Sequence, residues 1–163
     1  MFSLNNIVCQ LWDKKVYDCY PYGSCFYSSF VFLLNVALAL YYGYYLYATL
    51  FFALMINSLL QHSHYNLLTT IIDKIVIYCI VFYGGYIYYN KIHEYINNDT
   101  QMNSKEYILS FLIASTFLSN ILLYYYGYFY NCLCFCDDNA QANLFNSFMH
   151  FLGSFGHCCI ILF

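Results

Sequence analysis

Between residues 25 and 163 polar interruptions are so few that runs of apolar and aromatic residues reach or approach the ~20 residues a helix needs to cross a bilayer. None of these runs alternates over ten residues as a barrel strand in a membrane would. In hydrocarbon every backbone N–H and C=O must be satisfied within the protein, which leaves the helix as the spanning element. With 8% charged residues against roughly 25% in a soluble domain, the chain is expected to be an all-α integral membrane protein, a helical bundle of about five transmembrane helices. A net charge of -3 offers no basic surface, so nucleic acid is not an expected partner.

The organisation follows from the interruptions. Residues 1–24 form a polar lead that holds Asp13, Lys14, Lys15 and Asp18 and ends in Tyr-Pro-Tyr-Gly-Ser around Pro21. Its mixed composition is unlike a signal peptide or an arginine-rich transit peptide. Residues 25–163 are expected to form a single transmembrane domain, with spans near 25–43, 45–61, 67–90, 107–129 and 142–163 and a tight turn at Gly43. Either a break at His64 to Asn66 separates the second and third spans, or one long helix runs on to Asp73; the break gives the more even lengths. The polar loop is expected over 91–106, with Asn103 and Glu106 spaced as an N-cap and its third-position partner. Tyrosine clusters at 41–47, 86–89 and 124–130 fit the aromatic belts found where helices leave a membrane.

The stretch NSLLQHSHYNLLTTIIDK, residues 57–74, sets His62, His64 and Asp73 into this apolar sequence. Ionisable groups are costly inside a bilayer and normally face a bundle, a cofactor or water, so these three are the leading site candidates. On one helix His62 and His64 stand about 200° apart and cannot share a ligand unless the helix breaks between them. Neutral imidazole suits haem iron or zinc. Asp73 is either a base or outer partner of such a site or a helix-end carboxylate paired with Lys74. His150 and His157, seven residues apart, share a face of the last helix with Gly153, and small residues there let helices approach. His93 and Glu94 are expected to be solvated. The nine cysteines make no disulfide framework and are expected to be mostly structural; Cys132, Cys134 and Cys136 lack the two-residue gap of common zinc knuckles.

Two families share parts of this pattern. The residues His62, Ser63, His64 and then Asp73, with Ser28 and Ser29 one hairpin earlier, resemble the small membrane-anchor (cytochrome b) subunit of succinate dehydrogenase, respiratory complex II. That resemblance implies His62 as an axial ligand of haem b, with His64 as the alternative ligand, and Asp73 near a ubiquinone pocket. It further implies a multi-pass chain in the mitochondrial inner membrane, bound to a larger anchor subunit, an iron-sulfur subunit and lipid, and acting in electron transport without being a complete enzyme. The chain departs from that family in having Lys74 where the family has a tyrosine and about five spans where it has three.

Ser58, His62, Asp73, Asn146 and His150, ahead of Gly156, are similar to the Ser-x-x-x-His, Asp and late His-x-x-x-His of alkaline ceramidases. This second resemblance implies a zinc-dependent membrane hydrolase with the metal on His62 and His150. Asn146 stands where that family has a histidine, and the chain is short of that family's seven spans. The anchor subunit is the leading expectation; a structural subunit of a respiratory complex without cofactor and the ceramidase-like hydrolase are the alternatives. Convergence of Ser58, His62, Asp73 and His150 would favour the hydrolase, and a planar cavity facing His62 the anchor.

Overall fold

The structure is a computed structural model, and it describes residues 23–63, 67–98 and 101–163. Among these residues there is no strand, and five helices make up the fold: α1 (Ser24–Tyr41), α2 (Tyr45–Ser63), α3 (Leu67–Asn97), α4 (Ser104–Tyr130) and α5 (Asn139–Leu162). A 3-10 turn at Ser29–Val31 interrupts α1, and another at Leu133–Phe135 joins α4 to α5. The all-α bundle is as the composition requires.

Four of the helices are long and apolar enough to cross a membrane. The remaining one, α2, has 19 residues, or ~28 Å of helix. Tyr45, Tyr47, Thr49, Asn57, Ser58, Gln61 and His62 dilute its apolar character. Its buried positions Tyr47, Ala48, Phe51, Leu54, Met55 and Ser58 recur every three or four residues, so one face packs on its neighbours.

The α1–α2 hairpin turns where Gly43 predicts it. Gly43 has φ +78°, its N–H bonds the Leu40 carbonyl and the Tyr44 N–H bonds the Ala39 carbonyl. That pair of bonds is the Schellman stop, and the left-handed residue it needs is the one type that adopts it without steric cost. Helices α2 and α3 are separate elements on either side of residues 64–66. They run antiparallel, because Tyr47, sixteen residues before the end of α2, meets Tyr83, sixteen residues after the start of α3, edge-on with ring centroids 5.4 Å apart. Expected in the loop, Lys91 to Asn97 instead continue α3 to 31 residues. No Gly or Pro interrupts them, and Tyr95 is held by a 2.5 Å hydrogen bond to Glu106 Oε1. Asn103 and Glu106 form the capping box of α4: the Asn103 side chain accepts from the Glu106 N–H at 3.1 Å, and Glu106 Oε2 accepts from the Asn103 N–H at 2.6 Å. Asp138 caps α5 through the Ala140 N–H at 2.9 Å.

Packing reverses the soluble pattern. Outward stripes such as Tyr78, Phe82, Tyr86 and Tyr89 on α3, or Phe111, Leu118, Leu122, Tyr125 and Phe129 on α4, are exposed apolar surface suited to lipid. Inside lie Ser28, Ser29, Asn35, Ser58, Thr116, Ser147, Ser154 and His157 beside the apolar core. Among the described residues the last turns of α5 are the most enclosed, with Gly156 to Ile161 buried without a break. Contacts with α1, α3 and α4 surround α5.

Lys91 ties the end of α5 to α3. Its Nζ donates to the carbonyls of Ile160 and Ile161 at 3.0 and 2.9 Å and lies 5.4 Å from the centre of the Tyr44 ring. A cation is thus bound where a helix leaves carbonyls unpaired and its dipole is negative. Replacing it by methionine, Lys91→Met, should lower stability by ~2–3 kcal/mol, from two lost charge-assisted bonds and the dipole contact. Denaturant titration in mixed micelles, followed by tyrosine and tryptophan emission, measures that shift; an unchanged midpoint would refute the clamp.

Candidate metal centre

Two polar groups of side chains lie along the inner face of α5. The first surrounds His150 at the end of the α1–α2 hairpin. Cys25 lies in the first turn of α1 and His62 in the last turn of α2, while His150 comes from the middle of α5. Their donor atoms all lie within 4.8 Å of one another, with Cys25 buried and both histidines half-buried. The His62 and His150 ring centroids are 5.6 Å apart, and Phe32 closes the other side of His150 at 5.2 Å.

Serines hold this group in place. Ser28 Oγ and Ser29 Oγ donate to the Cys25 carbonyl at 3.0 and 2.9 Å. Hydroxyls that bond back one turn loosen the regular helical pattern, and the 3-10 turn begins at Ser29. From there Ser28 Oγ reaches His150 Nδ1 at 2.8 Å, and Ser29 Oγ reaches Ser58 Oγ, one turn before His62, at 2.8 Å. With the Ser28 proton on the Cys25 carbonyl, its oxygen accepts from Nδ1–H. That tautomer leaves the His150 Nε2 lone pair for a ligand.

The other candidates fall in different places. Asp73 is buried near the start of α3 with Lys74 Nζ at 4.0 Å, and it is outside the group of converging donors. Asn146, one turn before His150, is half-buried. His64 lies outside the described residues. His93 is exposed and hydrogen-bonded to Asn97 at 2.9 Å. Cys134 Sγ contacts Met149 Sδ at 3.1 Å and Cys136 Sγ donates to Gln141 Oε1 at 3.1 Å, so these two face separate partners. Cys25 is the member that sequence reasoning missed. Its one signal was its position a turn before two serines at the start of the first span.

The second polar group is fully buried. His157 is hydrogen-bonded to Tyr47 through Nδ1 and boxed edge-on by Phe51 and Phe117, ring centroids 5.2 and 4.8 Å away. Asn35 Nδ2 donates to the Ser154 carbonyl at 2.9 Å and to Cys158 Sγ at 3.2 Å, and its Oδ1 accepts from Ser154 Oγ. Each member has a partner, so this group acts as a polar lock between α1, α2 and α5. The two histidines that share a face of α5 therefore differ: His157 is enclosed by its own bundle, and His150 faces a thiol and a second imidazole.

What the first group can do follows from its donors. Two imidazoles and one sulfur match the soft and borderline ligands that bind zinc in preference to magnesium or calcium. Zinc bonds of ~2.0–2.3 Å place tetrahedral ligand atoms about 3.5 Å apart, a small inward movement from the observed group. Three protein donors leave the fourth position of such an ion open, which distinguishes a reactive site from a structural one. No protein-family model, curated protein or solved structure matches the chain.

Gly84 lets α3 come close to the lock, since a Cβ there would strike the Tyr47 hydroxyl and lie 3.0 Å from His157 Nδ1, whereas Gly85 has open space. Gly84→Ala should therefore cost ~1–3 kcal/mol by overpacking. Gly85→Ala should be neutral or stabilising by up to ~1 kcal/mol. Denaturation midpoints of the two variants in micelles test the contrast, and equal midpoints would contradict the packing.

Proposed function

We propose that the chain is a zinc-dependent membrane hydrolase acting on an acyl bond, amide or ester, of a lipid substrate. One observation carries this: His62 at the end of α2 and His150 on α5 meet with ring centroids 5.6 Å apart, although 88 residues separate them in sequence (150 − 62). Ser58 lies one turn before His62, linked through Ser29 to the carbonyl of Cys25, and so belongs to the same hydrogen-bonded unit. The similarity to alkaline ceramidases supports the same chemistry through Ser58, His62 and His150, whereas Asp73, which that similarity also includes, lies outside the group. Two neutral imidazoles would hold the ion, and Ser28 would keep His150 in the tautomer that can bind it. When bound, zinc lowers the pKa of its water and polarises a carbonyl.

The chain's own contribution is to place the ion where the short α1–α2 hairpin ends against α5. Phe32 shields one side of His150, and exposed apolar side chains on the outer faces suit a substrate that arrives through lipid. A haem reading would set His62 opposite a ligand on another subunit, across a planar group. Here the ring opposite His62 belongs to the same chain, and this favours zinc over the complex II anchor. The buried Asp73 and its exposed neighbour Lys74 have no assigned step in the reaction.

The test is metal analysis of the purified chain with an assay on an acyl-amide lipid in mixed micelles. One zinc per chain is expected, with hydrolysis abolished by chelation and restored by zinc. His62→Ala and His150→Ala should each weaken zinc binding by about 100-fold and abolish turnover, because losing one of so few ligands costs at least as much as losing an outer partner. A chain free of zinc whose native assembly has a b-type haem band, lost in His62→Ala, would overturn the hydrolase and restore the anchor. Neither metal nor haem would leave a structural membrane subunit.

A further inference from the structure

Neither resemblance gives Cys25 a role, and the role assigned to it here rests on the zinc reading. We propose that Cys25 is the third metal ligand, bound as a thiolate, so that the centre is a two-nitrogen, one-sulfur site and not a three-histidine one. The donors of Cys25, His62 and His150 lie within 4.8 Å of one another, and Cys25 is only 1% exposed.

The turn that carries Cys25 is wired to both helices that carry the histidines. Its carbonyl receives both the Ser28 and the Ser29 hydroxyls. Those same hydroxyls extend to the two other helices, Ser28 to His150 on α5 and Ser29 to Ser58 on α2, each at 2.8 Å. The turn that carries the thiol is thereby fixed to both helices that carry the imidazoles. Ordinary packing of a small apolar residue needs no such links. Outer-shell bonds that orient a ligand and fix its tautomer are the usual companions of a metal site.

Electrostatics gives the thiolate a reason. Zinc on two neutral imidazoles would leave a formal charge of +2 in a low-dielectric interior, and an ionised sulfur lowers it to +1. On binding, the Cys25 S–H bond breaks, the proton leaves to solvent and the sulfur electron pair forms the bond to the metal. The resulting site selects zinc, cobalt and cadmium over magnesium and calcium.

Cobalt substitution separates the parts of this proposal. The full chain in detergent micelles is stripped of metal with a chelator and loaded with Co2+. A near-ultraviolet thiolate-to-cobalt absorption is expected beside the visible bands of a tetrahedral ion. Cys25→Ser should lose the near-ultraviolet band and bind cobalt at least about tenfold more weakly, while Cys134→Ser keeps both properties. Cys25→His guards against a folding defect, because it should bind cobalt again without the thiolate band. A thiolate band that survives in Cys25→Ser, or a wild-type spectrum with tetrahedral cobalt and no such band, would overturn Cys25 as ligand and leave the two-histidine site standing. Failure of the wild-type chain to bind cobalt or zinc would overturn both.

Discussion

A hydroxyl or imidazole inside hydrocarbon has no water to bond, so its partner must come from the protein. That requirement organises the bundle. Lipid is as apolar as the residues facing it, and burial of Leu, Ile and Phe therefore does little to choose one helix packing over another. The specific links are polar and lie inside. Ser28 and Ser29 tie the start of α1 to α5 and α2, Asn35 ties the middle of α1 to α5, and Tyr47 ties α2 to α5 through His157. All but the Ser29–Ser58 bond converge on α5, whose inner face carries small or polar residues where its outer face carries Leu144, Phe148, Phe151 and Phe155.

The same links decide which polar residues are structural and which remain available for chemistry. His157 is hydrogen-bonded through Nδ1 to Tyr47, and the rings of Tyr47, Phe51 and Phe117 pack edge-on around it. Around His150 one ring nitrogen is engaged by Ser28, and the ring is directed towards His62 and Cys25. Histidines one face and two turns apart thus have different chemical standing, which follows from their neighbours and not from their own helix.

Much of the fold can be read from sequence because local rules govern it. Gly43 between two apolar runs gives a hairpin, Asn103 with Glu106 gives a helix start, and composition gives the bundle. The limit of the 91–106 loop cannot be read, since Lys91, His93 and Glu94 look solvent-bound in sequence while Lys91 is committed to carbonyls on a helix some seventy residues later. In the site, His62 and His150 stand out as rare ionisable residues in apolar runs. Cys25 does not, because a cysteine in such a run is indistinguishable from a small apolar residue until a tertiary contact shows what faces it. Tyr47 was equally hidden among 22 tyrosines, most of them suited to a membrane rim.

The links to α5 also impose an order on assembly. Ser28 and His150 are 122 residues apart in sequence, Asn35 and Ser154 119, and Tyr47 and His157 110. When α1 and α2 enter a membrane during synthesis, none of these partners has yet been made, and their polar side chains must be satisfied by water, by one another or by the insertion machinery. Only the arrival of the last helix replaces those temporary partners. Closure of the bundle is therefore the step with the greatest loop entropy to overcome, and the centre formed by Cys25, His62 and His150 comes into being in that same step.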